Sequence, residues 1–366
     1  MKRPRPSSVL WILPGGIALL LFAVLPHFPG VTEWIFARGL FRIITVPVGF
    51  LTSLLPFSLT ELLVIAAVPL AVWLIVHMVR KYRRCAARGA LIRSLLRKTA
   101  WVLSSLFALY AVLHGLNFYR MPVAELMQLD TRQQDAAFLQ RVVQDLAEQA
   151  SAERAKLPED ADGHLDIEAS RATILKQANA GFTAARQDYP FLWGSVWHPK
   201  PVQLSRWWSY TGVTGMYFPF FAEANVNIDT PVFNMPATAA HELAHTRGFA
   251  REDECNFLAF LTCRYQDDPL YRYSGHLLAY IYCSNALYDY DEDMWQEARA
   301  SCSEAMRRDL KQQKQYWKQF EGEVEQVSTS VNNAFITAHG DEDGVLSYDR
   351  VVQLILAYYQ TVVWAE

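Results

Sequence analysis

Hydrophobic and polar positions divide the chain into two parts of different texture. In residues 1–120 the apolar stretches are apolar on every side and leave no polar face for water. Three of them approach the roughly 20 residues that a helix needs to cross about 30 Å of hydrocarbon: residues 9–25, 59–79 and 99–118. The stretch 43–57 is also apolar, but Pro47, Gly49 and Pro56 interrupt it. It reads as an interfacial or re-entrant segment and not as a fourth span. From residue 121 the apolar positions become periodic. Residues 121–150 and 167–187 repeat at helical spacing, and from Pro236 onward the pattern is helical almost to the end. Residues 189–229 are rich in aromatics, Gly and Pro, which predicts short strands and turns. The leading strand is 216–229, placed at a sheet edge by Pro219. The segment after Gly344 reads as an amphipathic helix with its apolar face in the core. The expectation is a mainly α protein: a three-helix transmembrane region (1–120) followed by a helix-rich α+β domain (121–366).

Charge adds a direction. The net charge of −3 conceals an asymmetry, because Glu33 and Glu61 are the only acids in the first 120 residues. Basic residues cluster in the opening MKRPRP and again from Arg80 to Lys98, which holds eight of them and no acid. Cytoplasmic loops collect such residues. A multi-pass protein of the cell membrane is therefore expected, with a cytoplasmic N-terminus and 121–366 extracytoplasmic. A cleaved signal peptide is disfavoured, since no small-x-small site follows Val24 and further spans come after it. The second part has no Lys/Arg-rich face, which argues against nucleic acid. The expected partners are the lipid bilayer and a peptide or protein substrate, with the oligomeric state left open.

Of the five cysteines, Cys85 falls in the basic loop and Cys255, Cys263, Cys283 and Cys302 in the large domain. The last four could form two disulfides or serve as small buried apolar residues. No C-x-x-C spacing suggests a thiolate metal site. Residues 156–166 are polar but lack the ligand spacing of a calcium loop.

The chemistry lies at His241-Glu242-Leu243-Ala244-His245. Two histidines four apart on a helix project from one face, so both imidazoles can reach one cation. Glu242 beside them has the position of a general base. Pro236 can start the helix and Gly248 can end it, turning the chain back to Glu252, Asp253 and Glu254. Zn²⁺ held by His241, His245 and one of these acids, with Glu242 as catalytic base, is the resulting expectation.

The run from Arg251 to Asn256 resembles the E-x-x-A-(D/N) element of gluzincin-type metallopeptidases. That resemblance implies Glu252 as third zinc ligand and Asn256 as support for a histidine, with Cys255 in place of the usual Ala. Only six residues separate His245 from Glu252, fewer than most gluzincins have. HELAHTRGFARE also resembles the metzincin pattern H-E-x-x-H-x-x-G-F-x-H-E, but Arg251 stands where the third His belongs and cannot ligate zinc. Glu254 stays as a second candidate. With Glu252 as ligand, Glu254 or Asp253 is left to orient a histidine. Over nearly its full length the chain is similar to an uncharacterised bacterial membrane family, domain of unknown function 3810. The likeness is carried by FPFFAEANVN (218–227), HELAHTRGFAREDECNFLAF (241–260) and SYDRVVQLILAYY (347–359). It implies a zincin-like fold and a zinc-peptidase-like membrane protein, with no substrate.

In zincin-like enzymes an edge strand before the motif helix pairs with extended substrate. Residues 217–227 occupy that position, and Glu223, Asn225 and Asn227 alternate onto one face, lining the cleft or facing water. Tyr271, Tyr273 and His276 are candidate donors to a tetrahedral oxyanion. His198 and His339 read as structural. The expected function is a membrane-anchored zinc-dependent peptidase. Its rivals are a zinc amide hydrolase acting on cell-envelope material and a non-catalytic metal-binding scaffold. An intramembrane protease is excluded by Arg247, Arg251, Glu252, Asp253 and Glu254, charges that are expensive in hydrocarbon.

Overall fold

The computed structural model describes residues 8–132, 134–194, 198–338 and 348–365. His339 and the residues from Gly344 to Ser347 lie outside them. Among the described residues the fold is mainly helical, with one small sheet.

Among the described residues, three helices are long and apolar enough to cross a membrane: α2 (Pro29–Ser53), α3 (Leu59–Arg84) and α4 (Arg88–Leu113). They are preceded by the shorter α1 (Leu13–Val24). These bounds differ from the expected spans. The first, 9–25, folds as a short helix with a 3-10 turn at each end, a run from Ser8 to His27. The stretch 43–57, read as broken, belongs largely to the continuous α2, which carries Pro47 in its interior. A one-sided burial holds that helix: Phe41, Thr45, Gly49, Thr52 and Ser53 face protein. The segment 59–79 extends to Arg84, and 99–118 begins earlier at Arg88, so the basic residues close α3 and open α4.

α1 lies along α4 in the same direction. Gly15 N donates to Ser104 Oγ at 2.7 Å, and seven residues on Phe22 stacks on Phe107. α2 is tied to the large domain by polar contacts. Glu33 pairs with buried Arg120 at 2.8 Å, and Arg42 donates to the Phe191 carbonyl at 2.9 Å. The start of α3 is bolted to the sheet. The Glu223 carboxylate accepts from the amides of Leu59 and Thr60 and from the Thr60 hydroxyl. Glu61 in turn accepts from the amides of Gln203 and Leu204.

The core of the large domain is built from α5 (Ala136–Arg154) and four later helices. These are α6 (Met235–Thr246), α7 (Glu252–Arg264), α8 (Pro269–Tyr290) and α11 (Tyr348–Tyr358). α11 buries Val351, Ile355 and Tyr358, the core packing expected of an amphipathic terminal helix. All five cysteines are free thiols. Cys255, Cys263, Cys283 and Cys302 are buried and fill space as small apolar side chains. Residues 156–166 form a turn in which Asp160 accepts from the amides of Asp162 and His164.

The sheet has the order β1-β3-β2, with β1 (Lys200–Val202) parallel and β2 (Gly215–Phe218) antiparallel to β3 (Glu223–Asn227). The single strand expected at 216–229 is therefore two. The turn Pro219–Phe221 separates them, since Pro has no amide to give a ladder. β3 is central, and β1 and β2 are the two edges. Glu223, Asn225 and Asn227 neither line a cleft nor meet water. They are buried, with Ser58 donating to Asn225 at 2.6 Å and Asn227 donating to Ser209 at 3.0 Å.

Candidate metal centre

α6 carries His241, Glu242 and His245 and ends at Gly248, whose φ of +80° favours a residue without Cβ. The turn is closed by the Gly248 amide on the His245 carbonyl and the Phe249 amide on the Ala244 carbonyl. It is braced from outside. Arg120 donates to the Gly248 carbonyl at 2.9 Å and lies over the Phe249 ring at 3.9 Å. The chain then reverses, and α7 opens with Glu252 facing both histidines.

Nε2 of His241 lies 3.1 Å from Nε2 of His245 and 3.1 Å from a Glu252 carboxylate oxygen. The other Glu252 oxygen lies 3.6 Å from His245 Nε2. Each histidine has its far nitrogen occupied: Nδ1 of His241 meets Asn256 Oδ1 at 2.9 Å, and Nδ1 of His245 meets the Phe249 carbonyl at 2.8 Å. With acceptors at both Nδ1 atoms, the protons sit there and both Nε2 lone pairs turn to one point. A tetrahedral zinc bound at about 2.0–2.1 Å needs ligand atoms about 3.3 Å apart. The spacing and the N,N,O donor set both suit it. His241, His245 and Glu252 thus converge on a possible metal site.

Glu254 does not face this point. Its carboxylate accepts from the Val123 amide at 2.7 Å and pairs with Arg251. Asp253 pairs with Arg350 at 3.3 Å, and burial, then the Glu254 charge, raises its pKa to about 6. Neither acid orients a histidine; Asn256 and a backbone carbonyl do. Burial disfavours a charged Glu252, yet His245 and His241 hold its pKa down at about 2. Burial likewise opposes a proton on His241, but the Glu252 carboxylate keeps its pKa up at about 9. Without a cation this carboxylate keeps a proton on His241, which a metal at the same point would displace.

Glu242 is buried, and its Oε2 has no hydrogen-bond partner among the described residues. Burial, partly offset by His241, lifts its pKa to about 8. These residues line a cleft of about 830 Å³. The edge strand β2 forms one wall, with Tyr217 stacked on His245 at 6.1 Å and its buried hydroxyl unpartnered among the described residues. Tyr110 and His114, at the end of α4, form another. Two helices complete the enclosure, α9 (Glu304–Lys318) and α10 (Glu323–Ala338). α10 turns Glu325, Ser328, Thr329, Asn332 and Phe335 toward the cleft, while Val324, Val327 and Val331 are 58–65% exposed on its other side.

The expected oxyanion donors are elsewhere. Tyr271 donates to the Ile174 carbonyl, Tyr273 donates to Asp309 at 2.7 Å, and His276 packs on Phe260. All three lie on α8 facing the core. Tyr217 and His114 line the cleft instead. Nothing in their local sequence marks His114, which simply follows an apolar run. Tyr217 could have been found as an aromatic on the strand before the motif. His198 contacts the neighbouring Pro199 carbonyl and does not line the cleft.

Neither a curated protein nor a solved structure matches the chain. One family model, described as "Protein of unknown function (DUF3810)", matches residues 36–356. The match takes in the sheet, the His–His–Glu cluster and the helices around the cleft, and the chain belongs to the DUF3810 family.

Proposed function

We propose that this chain is a membrane-anchored zinc-dependent peptidase. The observation that carries the reading is the convergence of His241, His245 and Glu252 beside a buried, unpartnered Glu242 oxygen at the floor of an open cleft. When bound, zinc supplies a Lewis acid that polarises a carbonyl and brings the pKa of a water to about 7. His241, His245 and Glu252 would hold it. Glu242 takes the proton of the attacking water and passes it to the leaving amine. The Tyr217 hydroxyl donates to the oxyanion that develops on the carbonyl. The outer edge of β2 offers backbone groups to an extended substrate. A non-catalytic scaffold has no need of the carboxylate at Glu242, whose burial is costly without a role.

The membrane arrangement belongs to the same proposal. The basic residues between 80 and 98 favour α3 and α4 as spans joined on the cytoplasmic side. α1 together with its flanking 3-10 turns, running parallel to α4, would be the third. α2 lies on the domain through Glu33 and Arg42. The cleft then faces the extracytoplasmic side, on a zincin-like domain.

Metal analysis of the purified full-length protein tests the reading. About one zinc per chain is expected, lost in His241→Ala. Glu242→Gln should keep the metal and lose hydrolysis of a degenerate peptide mixture. A wild-type protein without zinc after metal-replete growth overturns the proposal, and full turnover by Glu242→Gln removes Glu242 as base.

A further inference from the structure

We infer that the substrate of this centre is a polypeptide itself anchored in the bilayer, cut within a few residues of the membrane surface. This deepens the peptidase reading above and rests on it. The argument is one of place. His114 is the first residue after α4, yet its ring centroid lies 6.0 Å from that of His245 and 5.8 Å from that of Tyr217. Tyr110, one turn inside the same helix, also lines the cleft. A wall of the catalytic cleft is thus the end of a membrane helix.

A second helix fixes the same level independently. The first amides of α3, at Leu59 and Thr60, are held by Glu223. Glu223 pairs in register with Phe218 on the edge strand β2. The strand that would receive substrate therefore ends between the exits of two membrane helices. The turn beyond it presents Phe218 with Phe220 and Phe221, ring centroids 5.4 and 5.2 Å away. Such partly exposed aromatics are typical of the interface between water and lipid.

An extended chain advances about 3.3 Å per residue, so one leaving the bilayer beside His114, whose ring lies 6.0 Å from that of His245, reaches the two histidines within a few residues. Anchoring also confines the substrate near the cleft, where its effective concentration is in the millimolar range. A soluble segment gains neither advantage.

The test uses the full-length, zinc-loaded protein in vesicles of phosphatidylethanolamine and phosphatidylglycerol. Three sets of short degenerate peptides serve as probes. One is palmitoylated at either end, one is unlipidated, and one is lipidated through a flexible spacer of about 20 residues. Mass spectrometry reads the rates and the bonds cut. The directly lipidated set should turn over at least about ten-fold faster than both others, with cleavage confined to about six residues next to the lipid. The spacer set controls for simple concentration at the vesicle. Equal rates in the direct and spacer sets, or in the lipidated and unlipidated sets, overturn the inference and leave the peptidase reading intact. No hydrolysis of any set overturns both.

Discussion

Gly215 and Glu242 approach so closely that no side chain fits between them. A Cβ on Gly215 would lie 2.7 Å from Cγ and 2.8 Å from Cδ of Glu242, with Oε1 nearer still. The main chain of the edge strand therefore sets the place of the carboxylate. Gly215→Ala must push Glu242 aside while leaving the two histidines and Glu252 untouched. Hydrolysis should fall by about 10²-fold or more, the usual worth of a positioned general base, while zinc content stays at the wild-type level. Wild-type turnover in this variant would show that the contact has no bearing on the reaction.

Glu252 and Glu254 differ in what they face, so their losses should differ in kind. On the proposed assignment Glu252→Ala removes a ligand atom and should abolish zinc binding. Glu254→Ala should keep zinc, yet lose about 1–3 kcal/mol of stability because the buried Val123 amide is left without an acceptor. Metal content and thermal midpoints of the two proteins, measured side by side, separate these roles. A zinc-free Glu254→Ala protein that is still folded would reverse the assignment.

The Glu33–Arg120 pair links α2 to the turn that follows the motif helix. Both side chains are buried, and Arg120 also braces the Gly248 carbonyl. Glu33→Gln leaves an uncompensated buried charge, expected to cost about 3–5 kcal/mol. Replacing both together with Leu and Met should recover much of that loss, since the desolvation penalty goes with the charges. Chemical denaturation of the single and double variants checks this. A double variant no better than the single would mean that the brace on Gly248, and not the charge, carries the stability.

His276 gives a pH dependence whose sign can be worked out. Burial, helped by the charge of Arg264, depresses its pKa to about 4, against an ordinary value near 6.5. The folded protein keeps this imidazole neutral, while the unfolded chain protonates it below about pH 6.5. Stability is thus undiminished above pH 6.5 and falls as the pH drops from 6.5 toward 4, by roughly 3 kcal/mol in all. Urea midpoints of wild type and His276→Gln between pH 7 and 4.5 should diverge from shared carboxylate effects by that slope. Parallel curves would remove His276 as the cause.

Much of this protein is legible in its sequence because it depends on local spacing. Histidines at 241 and 245 meet because a helix brings i and i+4 to one face. Gly248 turns the chain because the left-handed region favours a residue without Cβ. Asn256 reaches His241 because it lies one turn beyond Glu252 on the same face of α7. The apolar runs at 59–79 and 99–118 declare long apolar helices by composition alone.

Where local rules misled, a distant contact had changed their outcome. Pro47 and Gly49 suggest a break, but packing of one face against the domain carries α2 through them. The alternation of Glu223, Asn225 and Asn227 suggests a wet or cleft-facing surface. β3 is instead flanked on both sides, and those groups bind the start of α3 and Ser209. Tyr271 and Tyr273 follow the motif yet point into the core, while Tyr217, equally near on its other side, and the distant His114 line the cleft.

By itself, then, the sequence determined the helices, the His–Glu–His face and the acids within reach of it, because each follows from the geometry of a few consecutive residues. Only the tertiary structure decided that Glu252 and not Glu254 turns to the histidines, that Gly215 sets Glu242, and that the end of α4 forms a wall of the cleft. Those relationships join residues dozens to more than a hundred positions apart, or depend on which way a helix face turns once its neighbours are buried. Packing fixes such relationships, and no local period records them.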